Sequence, residues 1–497
     1  MERKKTNAIV HRPGTDVFGL GRGTSPVIAR MTRDVLARGG AQALGVARFR
    51  IGDHLLREPD YRQILQWAEA LGMAPETVLE VLVSSELTTE SCGWSEPIAF
   101  ALEEGAIVNL TWDFDRLPLV PEIWESGLLV RTLGFRGAWP EPAIALRPSL
   151  PHLRTLVCGC LGLASLDLSQ VPGLTVLDCR GNRLIGIDLS PVPRLTEVAC
   201  WGNQLTVLDL SRVPQLTLLH CGNNLLTALD LSPVPSLTNF DCSANKLTTL
   251  DLSPVPQLTV LGCQSNQLTT IDVSLVPALN VLVCSKNRLT DLDLSPLSQL
   301  YRLDCDANRL TELDLSPVPG LTNLDCSANE LTELELSPVP QLTTLGCRDN
   351  QLIALDLSTV PQLTVLDCGD NQLTELDLST VPRLTELYCS ANQLTELDLS
   401  PVGRLTKLYF GDNHLAELDL SPVPRLTKFF CGDNRLTTLD LRSVPRLTEL
   451  YCDDNELTEL DLSPVPGLKI LHCDHDVRCR NAPTNVTVTR PDDDAAS

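Results

Sequence analysis

"LTELYCSANQLTELDLSPVGR", residues 384–404, is followed without a break by "LTKLYFGDNHLAELDLSPVPR", residues 405–425, and preceded by "LTVLDCGDNQLTELDLSTVPR", residues 363–383. The same 21-residue phrase runs from about Leu153 to the C-terminal tail. Such fixed-period self-similarity, over roughly two-thirds of a 497-residue chain, argues for one repeat array in place of several globules. Within the first block the apolar or small residues are Leu384, Leu387, Cys389, Leu394, Leu397, Leu399 and Val402. The stretches "LTELYC" and "LTELDL" alternate as strands do, so two short strands are expected in each repeat.

A unit that regains its phase every 21 residues stacks one coil per repeat, with in-register strands about 4.8 Å apart. The cysteine phase, called here the ladder position, recurs from 158 to 473 and marks 16 coils. Proline stands 14 residues after it, as at Pro172, Pro193, Pro214 and Pro466, with Ser298 and Gly403 as exceptions. Proline there is incompatible with a helix interior and holds its predecessor in extended geometry, so the back of each coil is expected to be non-helical. Asparagine recurs three residues after the ladder position, from Asn182 to Asn455. An inward amide both donates and accepts, which suits a column pairing with the turning backbone of adjacent coils.

These residues carry a resemblance. The phrase resembles the bacterial leucine-rich repeat, LxxLxLxxNxLxxL, with cysteine in place of its third leucine, and is similar to the 21-residue cysteine-ladder subtype of internalin J-like repeats. The resemblance covers about residues 153–475. It implies a curved solenoid with a parallel sheet on its concave side, and it implies no enzyme.

Three roles compete for the cysteine column. Parallel side chains about 4.8 Å apart hold their Cβ atoms beyond the usual disulfide span, and a straight row lacks the convergence that zinc requires. Phe410 stands at the ladder position of one coil while the repeat continues. A ligand or redox thiol does not tolerate that exchange, so the column is read as packing, in keeping with the burial preference of free cysteine. Of 18 cysteines, 15 are in the column, leaving Cys92, Cys160 and Cys479. The run "LHCDHDVRC" brings His472, Cys473, His475 and Cys479 close in sequence, but in no standard zinc spacing, and no metal or cofactor is expected.

The net charge of −24 excludes a phosphate-backbone ligand as the favoured partner, so no nucleic acid is expected. After "MERKK" no apolar core of a secretory signal is legible, and no run of about 18 apolar residues is found. With so many thiols, the cytoplasm is the expected location. The internalin resemblance implies the alternative of an exported or surface-associated adhesin or effector.

Function is expected where side chains leave the first strand, at ladder −3, −1 and +1. The −1 series runs Val157, Asp178, Ala199, His220, Asp241, Gly262, Val283, Asp304, Asp325, Gly346 and Asp367, then changes to Tyr388, Tyr409, Phe430, Tyr451 and His472. Three of the chain's five tyrosines lie in that short row. Contiguous exposed aromatics are enriched in binding hot spots. Beside them at −3 stand Glu386, Lys407, Lys428 and Glu449, a charged rim for an apolar anchor. The expected function is a non-catalytic scaffold that binds a protein ligand along this face. Trp201 near His220 is a second, weaker candidate. On the second stretch, Asp167, Asp188, Asp209 and so on to Asp461 form an acidic row with Glu335 as the one replacement; serine two residues later is the expected relief, not calcium.

Ahead of the array, residues 1–23 read as a tail and 24–90 as a helical segment, with helices over 26–38, 58–72 and 75–86. "GLGRGTS" at 19–25 lacks the lysine of a phosphate loop and is read as a linker. Residues 91–152 read as a β-rich cap, because an open solenoid end exposes its core. Within it "IAFALEEGAIVNLTWDF" is a hairpin turning at Glu103 to Gly105, and "GLLVRTLGF" an irregular first coil. The array then spans 153–479, and 480–497 is a tail.

Overall fold

The computed structural model describes residues 153–160 and 162–490. Ahead of these it describes the backbone of Arg48–Ile51, His54–Arg57, Ile98–Glu103, Ala106–Trp112 and Ile144–Leu146, and a helical position at Leu65. The expected helices over 26–38 and 75–86, the linker at 19–25, Cys92 and the stretch 127–135 lie outside the described residues. The chain forms two compact units, Met1–Leu226 and Thr227–Ser497.

In the first unit Ile98–Glu103 pairs antiparallel with Ala106–Trp112, as the hairpin reading expects, with a register shift at Ala101 and Leu102. The second strand of this hairpin runs parallel to Thr155–Val157, Asn109 facing Thr155. Val176–Asp178, Glu197–Ala199 and Leu218–His220 follow in parallel register. In the second unit the strands from Asn239–Asp241 to Ile470–His472 pair in parallel, each residue against the one 21 positions on. The pairing continues to Thr487–Thr489. Sixteen coil strands, from Thr155–Val157 to Ile470–His472, form the array. Each is three residues long, and no helix interrupts them among the described residues.

The core is the sequence pattern made solid. In the coil of residues 384–404, Leu384, Leu387, Cys389, Leu394, Leu399 and Val402 are buried. Each such leucine or valine contributes about 1.5–3 kcal/mol on burial. All fifteen ladder cysteines are buried, as is Phe410, and none of the described cysteines is in a disulfide. Burial pushes the thiols of Cys200 and Cys263 up to about 12, and raises those of neighbours such as Cys284 and Cys389, so these remain neutral packing groups.

The asparagine column stitches the coils. Asn392 Oδ1 accepts from Leu373 N at 3.0 Å, while its Nδ2 donates to Cys368 O at 3.1 Å and Cys389 O at 3.2 Å. The same pattern recurs at Asn203 and Asn434.

One expectation is corrected. "LTELDL" does not form a strand in most coils; among the described residues of the array, strands occur in this row at Leu163–Leu166, Glu459–Asp461 and Arg478–Arg480, the last two paired with each other. The reason lies in its donors. Asn413 Oδ1 takes the N–H of Leu394, and Asp398 Oδ1 takes that of Ser400. Gln393 N keeps a direct bond to the neighbouring coil, at Leu373 O. Side-chain acceptors thus replace the ladder that would define a strand. Behind it the chain reverses through two consecutive turns, Val381 N to Leu378 O and Leu384 N to Val381 O, around Pro382.

Candidate protein-binding face

Strict register decides what the aromatic row becomes. Tyr388 faces Tyr409, Tyr409 faces Phe430, Phe430 faces Tyr451, and Tyr451 faces His472. The ring centroids are 4.6, 4.2, 4.1 and 5.6 Å apart, with planes 26°, 14°, 10° and 25° from parallel. The step between strands is close to the stacking distance, so the rings lie face to face and are half-buried. Their faces are used on one another, and the row presents ring edges. A sugar, a base or a cation that needs an open aromatic face is therefore poorly served. A ridge of edges, apolar and tipped with the phenols of Tyr388, Tyr409 and Tyr451, suits another protein's side chains. Burial pushes the Tyr388 and Tyr409 phenols up, Tyr409 to about 12, so both are neutral at physiological pH.

The flanking charges are paired. Lys407 Nζ lies 2.8 Å from Glu386 Oε1, and Lys428 Nζ lies 2.8 Å from Glu449 Oε1. Glu386 also accepts from the Tyr388 hydroxyl at 2.8 Å. These half-exposed pairs add little to stability, but they hold the rim against the rings. His472 Nδ1 lies 3.0 Å from Asp453 Oδ1 without hydrogen-bond alignment, a contact that is attractive when the imidazole is protonated. Cys473 and Cys479 bring their Sγ atoms within 3.7 Å. Among the described residues no group of three or more His, Cys, Asp or Glu side chains is arranged to hold a metal ion.

All the expected ridge and rim residues thus come together in five adjacent coils. The Trp201 and His220 pair does not match them. His220 is buried, and Trp201 is half-buried with its indole N–H lacking an acceptor among the described residues. The earlier −1 row is also less exposed than its alternation suggests. Asp178 pairs with Arg180 at 2.8 Å, and Asp304 with Arg302 at 2.9 Å. Burial pushes the carboxyls of Asp178, Asp304, Asp325 and Asp367 up, Asp367 to about 6. On the opposite stretch Ser400, Ser421 and Ser463 donate both backbone N–H and hydroxyl to Asp398, Asp419 and Asp461. Hydrogen bonds from Ser400 hold the Asp398 carboxyl below the ordinary range, and those from Asn481 and then Ser463 do the same at Asp461. This is the relief expected for that row.

Two further rows border the face and were not singled out in the strand columns. Arg383, Arg404, Arg425 and Arg446 stand in exposed turns three residues before the four aromatic strands. Asp412, Asp433 and Asp454 stand three residues beyond Tyr409, Phe430 and Tyr451, in left-handed backbone. Reading the −6 and +2 columns as the −1 column was read finds both.

Strand stack, buried ladder and non-helical back define a parallel-β repeat protein. A family model described as "Leucine Rich repeats (2 copies)" matches residues 361–401. The functional domain of InlJ from Listeria monocytogenes, which includes a cysteine ladder, is similar at 37% identity and TM-score 0.57, over 61% of this chain and 69% of that one. The chain belongs to the leucine-rich repeat family, in its cysteine-ladder form. YopM from Yersinia enterocolitica is similar at 29% identity and TM-score 0.54, over 70% of this chain and 85% of that one. The ectodomain of a receptor kinase from Arabidopsis thaliana shares the fold at 19% identity and TM-score 0.54, covering 84% of this chain and 59% of that one. No curated protein sequence matches the chain.

Proposed function

We propose that this chain is a non-catalytic scaffold that docks a protein on the sheet face formed by Tyr388, Tyr409, Phe430, Tyr451 and His472, with Glu386, Lys407, Lys428 and Glu449 as its rim. Leucine-rich repeat solenoids are commonly protein-binding scaffolds. The single observation that carries the reading is the unbroken stack of four in-register aromatic rings, whose edges form an apolar ridge about three strand spacings long. The rim charges at ladder −3 are spent on one another, Lys407 on Glu386 and Lys428 on Glu449, which supports positioning in place of proton transfer. A photo-crosslinking residue at Tyr409 tests the site. Adducts with one defined protein are expected from that position and not from a crosslinker at exposed Glu396 on the other stretch of the coil; equal adducts from both would refute it.

The cytoplasm is the proposed location, supported by a core of fifteen buried thiols, none in a disulfide. The similarity to InlJ favours a second reading, an exported or surface-associated adhesin or effector. Fractionation of the source cells separates the two: protein recovered only from the cell interior supports the first, and protein in the medium or on the surface supports the second.

A further inference from the structure

The turn before each first strand holds a residue at ladder −6. In the second unit this column reads Ser236, Gln257, Ala278, Gln299, Gly320, Gln341 and Gln362, then Arg383, Arg404, Arg425 and Arg446, then Gly467. Within this unit arginine enters at the coil where tyrosine and phenylalanine enter the −1 column, and leaves where they leave; in the first unit the column holds one further arginine, Arg194, ahead of Ala199. Simple copying of one coil does not account for this. Over the same coils the −3 column reads Glu386, Lys407, Lys428, Glu449, and the +1 column reads Ser390, Gly411, Gly432, Asp453. The arginine and the ring are kept together while these neighbouring columns vary.

The four arginines are exposed, and none is paired with a carboxylate among the described residues. In register they stand about 4.8 Å apart, a spacing at which four like charges repel. On the strand-entry side of the ridge there are six cations, these four with Lys407 and Lys428, against two carboxylates, Glu386 and Glu449. That is a local basic border on a chain of net charge −24. On the strand-exit side Asp412, Asp433 and Asp454 are exposed, with Asp453 and Asp474 close behind them. The face therefore has three parallel bands: basic, aromatic, acidic.

The step along these bands selects the shape of the partner. Carboxylates at i, i+3 and i+4 of a helix stand about 5–6 Å apart, close to the step of the arginines. Same-side residues of an extended chain stand about 6.8 Å apart and drift out of step by about 6 Å over three intervals. We infer that the occupant of this face is an amphipathic helix of a partner protein lying along the stack, its apolar stripe on the ring edges and an acidic flank against Arg383, Arg404, Arg425 and Arg446. Its opposite flank, facing the aspartates, carries lysine or arginine. Three strand spacings correspond to about ten residues of helix. The inference rests on the docking reading above and names the partner's chemistry.

The test uses the full chain, a phage-displayed library of random 20-residue peptides, and a labelled 20-nucleotide oligo(dT). Two variants are compared with the intact protein: Arg383→Gln, Arg404→Gln, Arg425→Gln with Arg446→Gln, and Tyr388→Ser, Tyr409→Ser, Phe430→Ser with Tyr451→Ser. Glutamine is what other coils hold at −6, so the first variant keeps the fold. The expected result is a set of enriched peptides with apolar residues at helical spacing, acidic residues on one flank and basic residues on the other. Their synthetic forms lose all binding to the serine variant, and bind the glutamine variant at least tenfold more weakly by fluorescence anisotropy. Peptides that need the rings but bind the glutamine variant unchanged would overturn the inference and leave the docking site standing. Carboxylates at every second position would overturn it in favour of an extended ligand. Oligo(dT) binding that is lost with the arginines would overturn it in favour of nucleic acid. If no enriched peptide depends on the rings, the docking reading fails as well.

Discussion

Replacing Asn392 measures what the asparagine column does. The amide is buried and makes bonds to four backbone sites across two coils, the longest to Ser390 O at 3.4 Å. They are not equally dependent on it. Cys368 O also accepts from Asn371 Nδ2 at 3.1 Å, and Cys389 O also accepts from Asn413 Nδ2 at 3.1 Å. Asn392→Ala therefore leaves both carbonyls one partner each, but orphans the N–H of Leu373, whose side chain is fully buried. An orphaned buried donor costs about 1–3 kcal/mol and the lost bonds add about 1 kcal/mol, giving roughly 2–4 kcal/mol. Asn392→Asp keeps the acceptor for Leu373 but turns a carboxylate toward two carbonyl oxygens. It is expected to be the worse variant at pH 7 and to recover as the pH falls, because protonation restores a donor. Urea unfolding gives the overall cost. Since a repeat array need not unfold in one step, hydrogen exchange of the Leu373 amide gives the local one. If Asn392→Ala leaves both the urea midpoint and the Leu373 amide protection unchanged, the column is not what joins the coils.

Other outcomes follow from the same structure. Asp367, pushed up to about 6 by burial, should weaken the fold as pH rises from about 4 through 6, because the native state there binds the proton more tightly than the unfolded chain. Asp367→Asn should remove this penalty, about 1–3 kcal/mol with its residual exposure allowed for, giving higher stability than the parent at pH 8 and equal stability below pH 4. Phe410→Ala should cost about 3–5 kcal/mol, since a fully buried ring leaves a cavity between Cys389 and Cys431; calorimetry showing no change would mean the column tolerates a void. Iodoacetamide on the folded protein should modify, among the described cysteines, Cys160 and Cys479 and spare the ladder until urea is added. Cys160 is exposed and contact with Cys473 lowers the Cys479 thiol, whereas the buried ladder thiols stay protonated; peptide mass mapping reads the result.

Much of this was legible in the residues. Leu, Cys and Asn at fixed phases fix the coil, its register and its inner face, because a 21-residue step lets each side chain meet only its own kind. The second stretch misled because "LTELDL" alternates like a strand, while its amide donors are taken by an Asp two residues back and by the Asn of the next coil, residues whose columns are visible but whose roles as acceptors for this stretch are not. The aromatic row was visible by position. That its rings close their faces on one another is a consequence of strand spacing, and it changes the kind of ligand served. Arg383, Arg404, Arg425 and Arg446 were in plain view but sit in turns, outside the alternating columns by which a strand face is read.

The central claim is that the ridge of Tyr388, Tyr409, Phe430 and Tyr451 is where a protein docks. The most direct measurement is a quantitative pull-down from native lysate with the intact chain and with the four-serine variant, circular dichroism first establishing that both are folded. The account predicts a defined protein enriched on the intact chain and reduced at least tenfold on the variant. Equal enrichment on a folded variant would contradict it and leave the stacked rings as sheet packing alone.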